Sequence, residues 1–531
     1  MKRLIPLVVF LIVTSQFTSA QTPDWSSKIA NIIYSNCSSC HHEGGIGPFS
    51  LMTYDDAVTN ATNIQAYVVA GKMPPWPPDP SCSYQIIGDR RLSDDDINAI
   101  NDWVNGGAPS GDLASAPLPP TFSANSSVLN GIDLTVALPH YTVQLATDEY
   151  RTFVIHSGFT DPHYINQLEV QPGNNSIVHH VLVYYDPTSA SNDADLQDSL
   201  PGFSTNGTNT PSASCVMIGG WAPGAQAQKL PANMAYQVPA NADFVVEVHY
   251  APGSIGKSDS TKVNLKYCTQ ASPRLLSTQP ILFHYWPCIS PALNIPANTV
   301  KSFHEKSLDF SVPQIDYNPS GDYSLLGVAP HMHLIGKSWN VYMTSPTNDT
   351  TNLVCIPDWN FHWQLGYEFH NLIHFHAGAG YHLGAKATYD NTSNNPNNPS
   401  NPPVDVTLGE RTIDEMMIVF FSFLNYQPGD DTVILEQTTG VNMPVNPSLP
   451  LSLFPNPASD EVELSAILPA NDLQINIMNT AGVVIKSFDQ GHQLKGMYAT
   501  RLSLKDIPQG IYLLEISSGG IHSIKKLVKL E

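Results

Sequence analysis

The sequence predicts a multidomain, mainly β protein: a small α-helical domain first, then two antiparallel β-sandwiches, and a small β-sandwich at the C-terminus. Three observations carry this expectation. The chain has 531 residues, too many for one hydrophobic core. From about Leu134 to Pro444 short runs alternate apolar and polar residues, as in Arg151-Thr-Phe-Val-Ile155, Val181-Leu-Val-Tyr-Tyr185 and Phe244-Val-Val-Glu-Val-His249. Pro, Gly and Asn punctuate these runs, which is the pattern of sandwich strands. Upstream, a Pro-, Ser- and Ala-rich stretch from Pro109 to about Asn130 sets off a region of short helices and turns and reads as a linker.

In chain order, residues 1–20 have a basic start, an apolar run and a Thr-Ser-Ala end. They are expected to be a secretory signal peptide cut after Ala20. Residues 21–108 form the helical domain and 109–130 the linker. The β-rich region is generous for one sandwich, so it is divided near 275 into domains over 131–275 and 276–445. Within the second, Asn391–Pro403 is expected to be a flexible surface loop. A last module covers 450–531.

The net charge of −22 argues against nucleic acid or an anionic membrane as partner. No later stretch approaches the roughly 18 apolar residues of a membrane span. The chain has seven cysteines. Two belong to a CxxCH motif, leaving Cys82, Cys215, Cys268, Cys288 and Cys355. An odd number allows at most two disulfides and one thiol, and spacing alone leaves the pairing open.

The motif is Cys37-Ser-Ser-Cys40-His41, in which two thiols add to haem vinyl groups and the histidine becomes an axial iron ligand. An apolar helical pattern, Ile29 to Tyr34, precedes it. Ser93-Asp-Asp-Asp96 opens a helix carrying Ile97, Ile100 and Trp103. The arrangement resembles small cytochrome c domains, which implies one covalent haem c on Cys37 and Cys40 with His41 on the iron. The second axial ligand is expected to be Met73, in Gly71-Lys-Met73-Pro-Pro-Trp76; its rival Met52 reads better as a core methionine.

A second constellation is richer. His179-His180 and His249 offer three imidazoles; His331, His333 and Met416 offer two imidazoles and a thioether. Imidazole suits copper in either oxidation state and the soft sulfur favours Cu(I). Two redox-active coppers working in one-electron steps would want such a pair of sites. Adjacent residues on a flat strand point to opposite faces. His179 and His180 can therefore share a metal only at a bend or bulge, or through different ring nitrogens. Otherwise one is a core and the other a surface histidine. His374-Phe-His376 also presents two imidazoles on one strand face but lacks the Leu-Ile-Gly-Lys continuation of His333. It is expected to be a sandwich strand with partly exposed histidines. Of Met416 and Met417 only one can face a metal on a strand, and Asp414-Glu-Met416 favours the first.

Taken in order, Val178-His-His-Val-Leu-Val-Tyr-Tyr185, Gly220-Trp-Ala-Pro-Gly224, Glu247-Val-His249-Tyr250, His331-Met-His-Leu-Ile-Gly-Lys337 and Asp414-Glu-Met416 resemble the copper type II ascorbate-dependent monooxygenases, over roughly residues 130–440. The resemblance implies that His179, His180 and His249 hold an electron-transfer copper on the first sandwich. His331, His333 and Met416 would hold the catalytic, oxygen-binding copper on the second, across a cleft. Glu247 occupies the position beside His249 from which a group can orient the imidazole through its other nitrogen. The implied reaction takes a C–H substrate, O2, two electrons and two protons to an alcohol and water. An ascorbate-like donor or a redox protein would supply the electrons, and the fused haem suggests a relay.

The chain departs from its peptide-hydroxylating relatives where they clamp a substrate carboxylate. Ala329, Ile418 and Phe420 stand in place of an arginine, an asparagine and a tyrosine. A carboxylate buried there would be unpaired at considerable cost, so a less polar, non-carboxylate substrate is expected. Met417 and Ala387 replace a cysteine pair of the family; losing both partners is compatible with an intact fold.

Leu453-Phe-Pro-Asn-Pro457, Asn479-Thr-Ala-Gly482, Gly510-Ile-Tyr-Leu-Leu-Glu515 and Lys525-Lys-Leu-Val-Lys-Leu530 resemble the C-terminal sorting domain of the type IX secretion system. This implies the secretion machinery as a partner and a secreted or cell-surface location, reached through the periplasm of a Gram-negative-type cell. Phe488, Tyr498 and Tyr512 are too few for the aromatic platform of a carbohydrate-binding sandwich. The competing functional expectation is a non-catalytic extracellular electron-transfer protein holding the same copper and haem.

Overall fold

The computed structural model describes residues 22–122, 127–205, 214–284, 292–309, 317–435, 451–468, 473–479, 484–489, 496–518 and 521–530. The expected signal peptide, Cys288 and Gly482 lie outside the described residues. The chain is mainly β, with several sheets, and divides into two compact units, Met1–Thr439 and Gly440–Glu531. No helix among the described residues is long and apolar enough to cross a membrane.

The first unit opens with helices Ala30–Asn36, Tyr54–Thr59, Ala61–Val69 and Asp94–Asn105. Their boundaries follow from local chemistry. Thr53 and Asp56 form a reciprocal capping box, satisfying two otherwise orphaned amides. Ser93 accepts the amide of Asp96, and three aspartates fill the next turn, where the positive end of the helix dipole favours them. Ile29, Ile33, Ile64, Val68, Ile100, Trp25 and Trp103 pack together as this region's core.

Two features depart from a self-contained haem domain followed by a free linker. The carbonyl of Pro109 accepts both the Trp25 amide and the Trp103 indole N–H. At the other end Ser127 and the Val128 amide donate to Glu169, so the linker is anchored at both ends. The strip from Trp76 to Ile87 also leaves the helical core and lies on the second sandwich. Trp76 meets Tyr367 edge-on at 5.7 Å, Tyr84 meets Phe369 at 5.9 Å, and Ile86 bridges to Phe369. A disulfide joins Cys82 to Cys355 across 273 residues. The helices leave these aromatic and aliphatic side chains without a core of their own, and the sandwich partly buries them.

In the first sandwich one sheet runs in the order Phe203–Thr205, Glu149–His156, Asp243–Tyr250, Val178–Asp186, Val216–Trp221. The other orders Leu134–Ala137, Lys262–Tyr267, His163–Gln171, Met234–Val238, Arg274–Leu275. All these pairs are antiparallel except the last, which is parallel. Asp243–Tyr250, the middle strand of its sheet, is buried on both faces, which explains its nearly continuous apolar run. The second sandwich pairs Ser277–Phe283, Ile418–Asn425, Tyr323–His331 and Tyr367–Phe375 against Thr299–Lys306, His382–Asn391, Gly336–Thr344 and Thr350–Ile356. Leu326, Leu372, Leu424 and Leu435 of this sandwich pack into the core of the first, so the two halves share apolar surface.

The expected flexible loop after Asn391 is pinned instead. Asn391 donates to the carbonyls of Ile295 and Val404, Asn395 to that of Asp390, and Asn398 to the Asn391 side chain. Asparagine side chains here supply the backbone with partners in place of a ladder.

The second unit, considered alone, has two sheets, one of Leu451–Phe454, Glu461–Leu468 and Gly496–Ser503, the other of Val484–Asp489, Gln474–Met478, Gly510–Ser518 and Ile521–Lys529. Val462, Leu464, Ile475, Ile477, Leu514 and Ile516 are central to its core.

Candidate metal centres around a shared cavity

The all-imidazole trio is assembled by a β-bulge. Asp243–Tyr250 pairs with Val178–Asp186 so that His249 lies opposite His180 and Tyr250 opposite Val178. His179 is the extra residue. A bulge bends the strand and re-aims the side chain, and here it turns two neighbouring histidines toward one point. The Nδ1 atoms of His179 and His180 are 3.2 Å apart, and that of His249 is 3.4 Å from that of His180. All three residues offer a ring nitrogen within 4.8 Å of the others.

The proton positions explain why a cation suits this point. His249 donates from Nε2 to Asp148 Oδ1 at 2.8 Å, so in the neutral ring Nδ1 carries a bare lone pair. Burial pushes all three imidazoles below their ordinary pKa, and mutual repulsion adds to it for His179 and His180. Three uncharged, converging nitrogens are the ligand state a metal needs. Tyr150 stacks on His249 at 4.2 Å and fixes its plane.

Asp148, not Glu247, is therefore the group that orients His249. Glu247 is buried and accepts from Thr205 at 2.7 Å and Thr152 at 3.4 Å; burial raises its pKa to about 7. Glu247 is nearer in sequence but turns to the two threonines instead. Asp148 lies in a loop before Glu149–His156, and no spacing rule links it to His249. Thr412 donates to the other oxygen of Asp148 at 2.7 Å, tying it to the second sandwich. Replacing Asp148 with Asn is expected to weaken metal binding at the trio about 10–100-fold, read by competitive copper titration, with little effect on the other donor set.

The second set sits where Tyr323–His331 ends. His331 donates from Nδ1 to Gln364 Oε1 at 2.5 Å, and His333 from Nδ1 to the Asp414 carbonyl at 3.1 Å. In both rings Nε2 is the nitrogen left for a metal. Burial lowers the pKa of His331 to about 4 and that of His333 to about 3. Glu415 holds the turn: its carboxylate accepts the amides of His333 at 2.8 Å and Ile335 at 2.9 Å. Met416 is buried, and two residues on Ile418 pairs with His331 across the sheet. Met417 packs in the core of the second sandwich.

His180 of the first set and all three residues of the second border one cavity of about 300 Å³, which Tyr150 and Glu247 also line. Phe361 bridges the two sets, stacked on His179 at 4.6 Å and edge-on to His333 at 5.8 Å. Ala329, Ile418 and Phe420 also line the cavity, so this part of its wall is apolar. Trp76, Ile87 and Arg90 reach it from the strip following the helical region, and Arg90 donates to the Gly224 carbonyl at 2.6 Å. Gly224 has φ of +81°, and a Cβ there would sit 3.1 Å from the guanidinium, so this turn requires glycine.

In the helical region Cys37 follows Ala30–Asn36 directly. His41 donates from Nδ1 to the Phe49 carbonyl at 3.1 Å, leaving Nε2 for an iron. Gly47 passes so near that a Cβ would be 2.7 Å from the His41 ring. Burial pushes the Cys37 thiol up to about 12 and raises that of Cys40, so as free thiols both are poor nucleophiles. Met73 is half-buried just beyond Ala61–Val69, its amide donating to the Tyr67 carbonyl at 3.3 Å.

Asp148, Gln364, Glu415, Phe361 and Arg90 were absent from the sequence reading. Glu415 alone had a usable signal, its place in Asp-Glu-Met.

No curated protein matches the chain. Among solved structures, one described as "Biofilm associated protein - BSP domain" aligns with 77% of this chain and 84% of its own, at 7% identity and a TM-score of 0.14. Residues 452–530 match the family model described as "Secretion system C-terminal sorting domain". This part of the chain is a type IX secretion sorting domain, the segment that engages that machinery, and the protein is secreted or displayed at the cell surface.

Proposed function

We propose that this protein is an exported copper-dependent monooxygenase that hydroxylates a C–H bond of a small, non-carboxylate organic substrate with O2. The observation that carries this reading is the pairing of two chemically different donor sets at one cavity, a cluster of three Nδ1 atoms that borders it through His180, and two imidazoles with a buried methionine that line it directly. His179, His180 and His249 would hold the electron-transfer copper, and His331, His333 and Met416 the catalytic copper. Bound copper would supply one-electron redox chemistry and oxygen activation. The chain's own part is positional. Asp148, Gln364 and the Asp414 carbonyl fix which ring nitrogen faces the metal. The buried rings stay neutral, so no proton competes with the metal. Ala329, Ile418 and Phe420 offer apolar surface to the substrate and no partner for a carboxylate at that wall, while the Arg90 guanidinium, which lines another part of the cavity, is engaged by the Gly224 carbonyl.

Cys37, Cys40 and His41, with Met73, would hold one haem c as electron relay. The strip from Trp76 to Arg90, which joins the helical region to the cavity, supports the relay. Changing Cys37 and Cys40 to serine is expected to slow copper re-reduction by a physiological donor, read by stopped-flow; an unchanged rate would count against the relay.

The reading is tested on the full chain by metal analysis and by oxygen uptake under reducing conditions, with a screen for hydroxylated products. Two coppers and one haem iron per chain, with uptake that depends on substrate, are expected. Fewer than two coppers sinks the reading, and copper loading without substrate-dependent uptake favours the electron-transfer protein. Tight binding of N-acylglycines would refute the non-carboxylate assignment.

A further inference from the structure

The other His-x-His pair does not behave as two unrelated surface histidines. His374 is the half-buried penultimate residue of Tyr367–Phe375, opposite Ser324. His376 follows as the residue before the turn Ala377–Ala379. Asp322 stands immediately before Tyr323–His331, at the opposite end of that strand from His331. The fold thus brings two imidazoles and a carboxylate together at the edge of one sheet. His374 Nε2 is 2.7 Å, and His376 Nδ1 3.0 Å, from the same oxygen, Asp322 Oδ1. The three donors all lie within 4.8 Å of one another.

The surroundings hold this arrangement in place. The Tyr426 ring stacks on His374 with centroids 3.4 Å apart and planes 5° from parallel. The Tyr426 amide donates to the Asp322 carbonyl at 3.0 Å. His376 packs on the His374 ring at 3.5 Å. Two rings are therefore crowded onto one carboxylate oxygen although solvent is close enough to separate them, since the Asp322 and His376 side chains are 49% and 42% exposed.

We propose that Asp322, His374 and His376 form a divalent transition-metal site of the zinc type, separate from the two trios at the cavity. Two neutral imidazoles and one carboxylate are a common three-ligand set for zinc, with a fourth, tetrahedral position left to water. Tetrahedral ligands about 2.0–2.1 Å from the ion sit about 3.3 Å apart, so small side-chain shifts from the present contacts admit the ion. The exposed side of the cluster leaves room for the water. Bound there, the ion ties the start of Tyr323–His331 to the end of Tyr367–Phe375 and, through Tyr426, to the end of Ile418–Asn425, which stabilises the sheet end remote from the cavity.

The test uses the full chain with its two trios filled with Cu(I) under argon, titrated with Zn²⁺ in a calorimeter. One saturable equivalent with a Kd on the order of micromolar or tighter is expected, together with a rise in melting temperature. Asp322→Asn and the double change His374→Gln, His376→Gln should each weaken this binding by at least about tenfold. No saturable binding to the unaltered chain overturns the proposal, and so does equal binding by the substituted chains. A crystal of the unaltered chain soaked in Zn²⁺ and measured at the zinc absorption edge needs no substitution. An anomalous peak between the three side chains supports the site; a peak only elsewhere, or none, refutes it.

Discussion

Changing His249 to alanine is expected to leave one copper per chain, against the two proposed for the unaltered protein. Substrate-dependent oxygen uptake should fall at least about a thousandfold, the loss of several kcal/mol of metal-supplied stabilisation. The size of the effect follows from how much meets at this ring. Its Nδ1 completes the trio at 3.4 Å from His180, its Nε2 satisfies Asp148, and Tyr150 covers its face. Alanine removes the third ligand and strands the Asp148 carboxylate with Thr412 as its remaining partner. His331, His333 and Met416 belong to the other sandwich and keep their own supports, so their copper should stay. Metal analysis and an oxygen electrode read both effects in one preparation. Retention of two coppers would mean that the trio is not a metal site.

Glu415→Ala should be the most damaging change that touches no proposed ligand atom. The carboxylate accepts the His333 and Ile335 amides inside the protein, and burial raises its own pKa to about 8. Alanine leaves both donors buried without acceptors, at about 1–3 kcal/mol each. The His-x-His turn then has no reason to keep its shape, so copper at His333 should be lost together with stability. Gln keeps one acceptor oxygen and should recover part of both. Urea unfolding and copper stoichiometry provide the measurements. An alanine variant within about 0.5 kcal/mol of the parent with full copper would refute this role.

Much of this could be read from the chain directly. The helix opening at Ser93 was legible because capping is local: the serine, the three aspartates and the apolar spacing all fall within a few residues. The same holds for the alternation of Phe244 to His249 and for the sorting segment, whose motifs repeat short-range turn and strand chemistry. The two proposed donor sets stand out in the sequence for another reason. Histidine pairs and a methionine at strand ends are rare enough that order along the chain is informative.

Residue order along the chain is enough to point out the candidate ligands, the mainly β character and the export address. How those candidates are supported emerges from the folded chain. The bulge that turns His179 and His180 together exists because a facing strand sets the register. Asp148 reaches His249 from 101 residues away, and Glu415 reaches the His333 amide from 82. Cys82 finds Cys355, and His374 and His376 find Asp322, because sheets bring distant strand ends side by side. A polar group buried by folding must find a partner wherever the chain supplies one. That choice depends on distance in space, which periodicity along the chain does not encode.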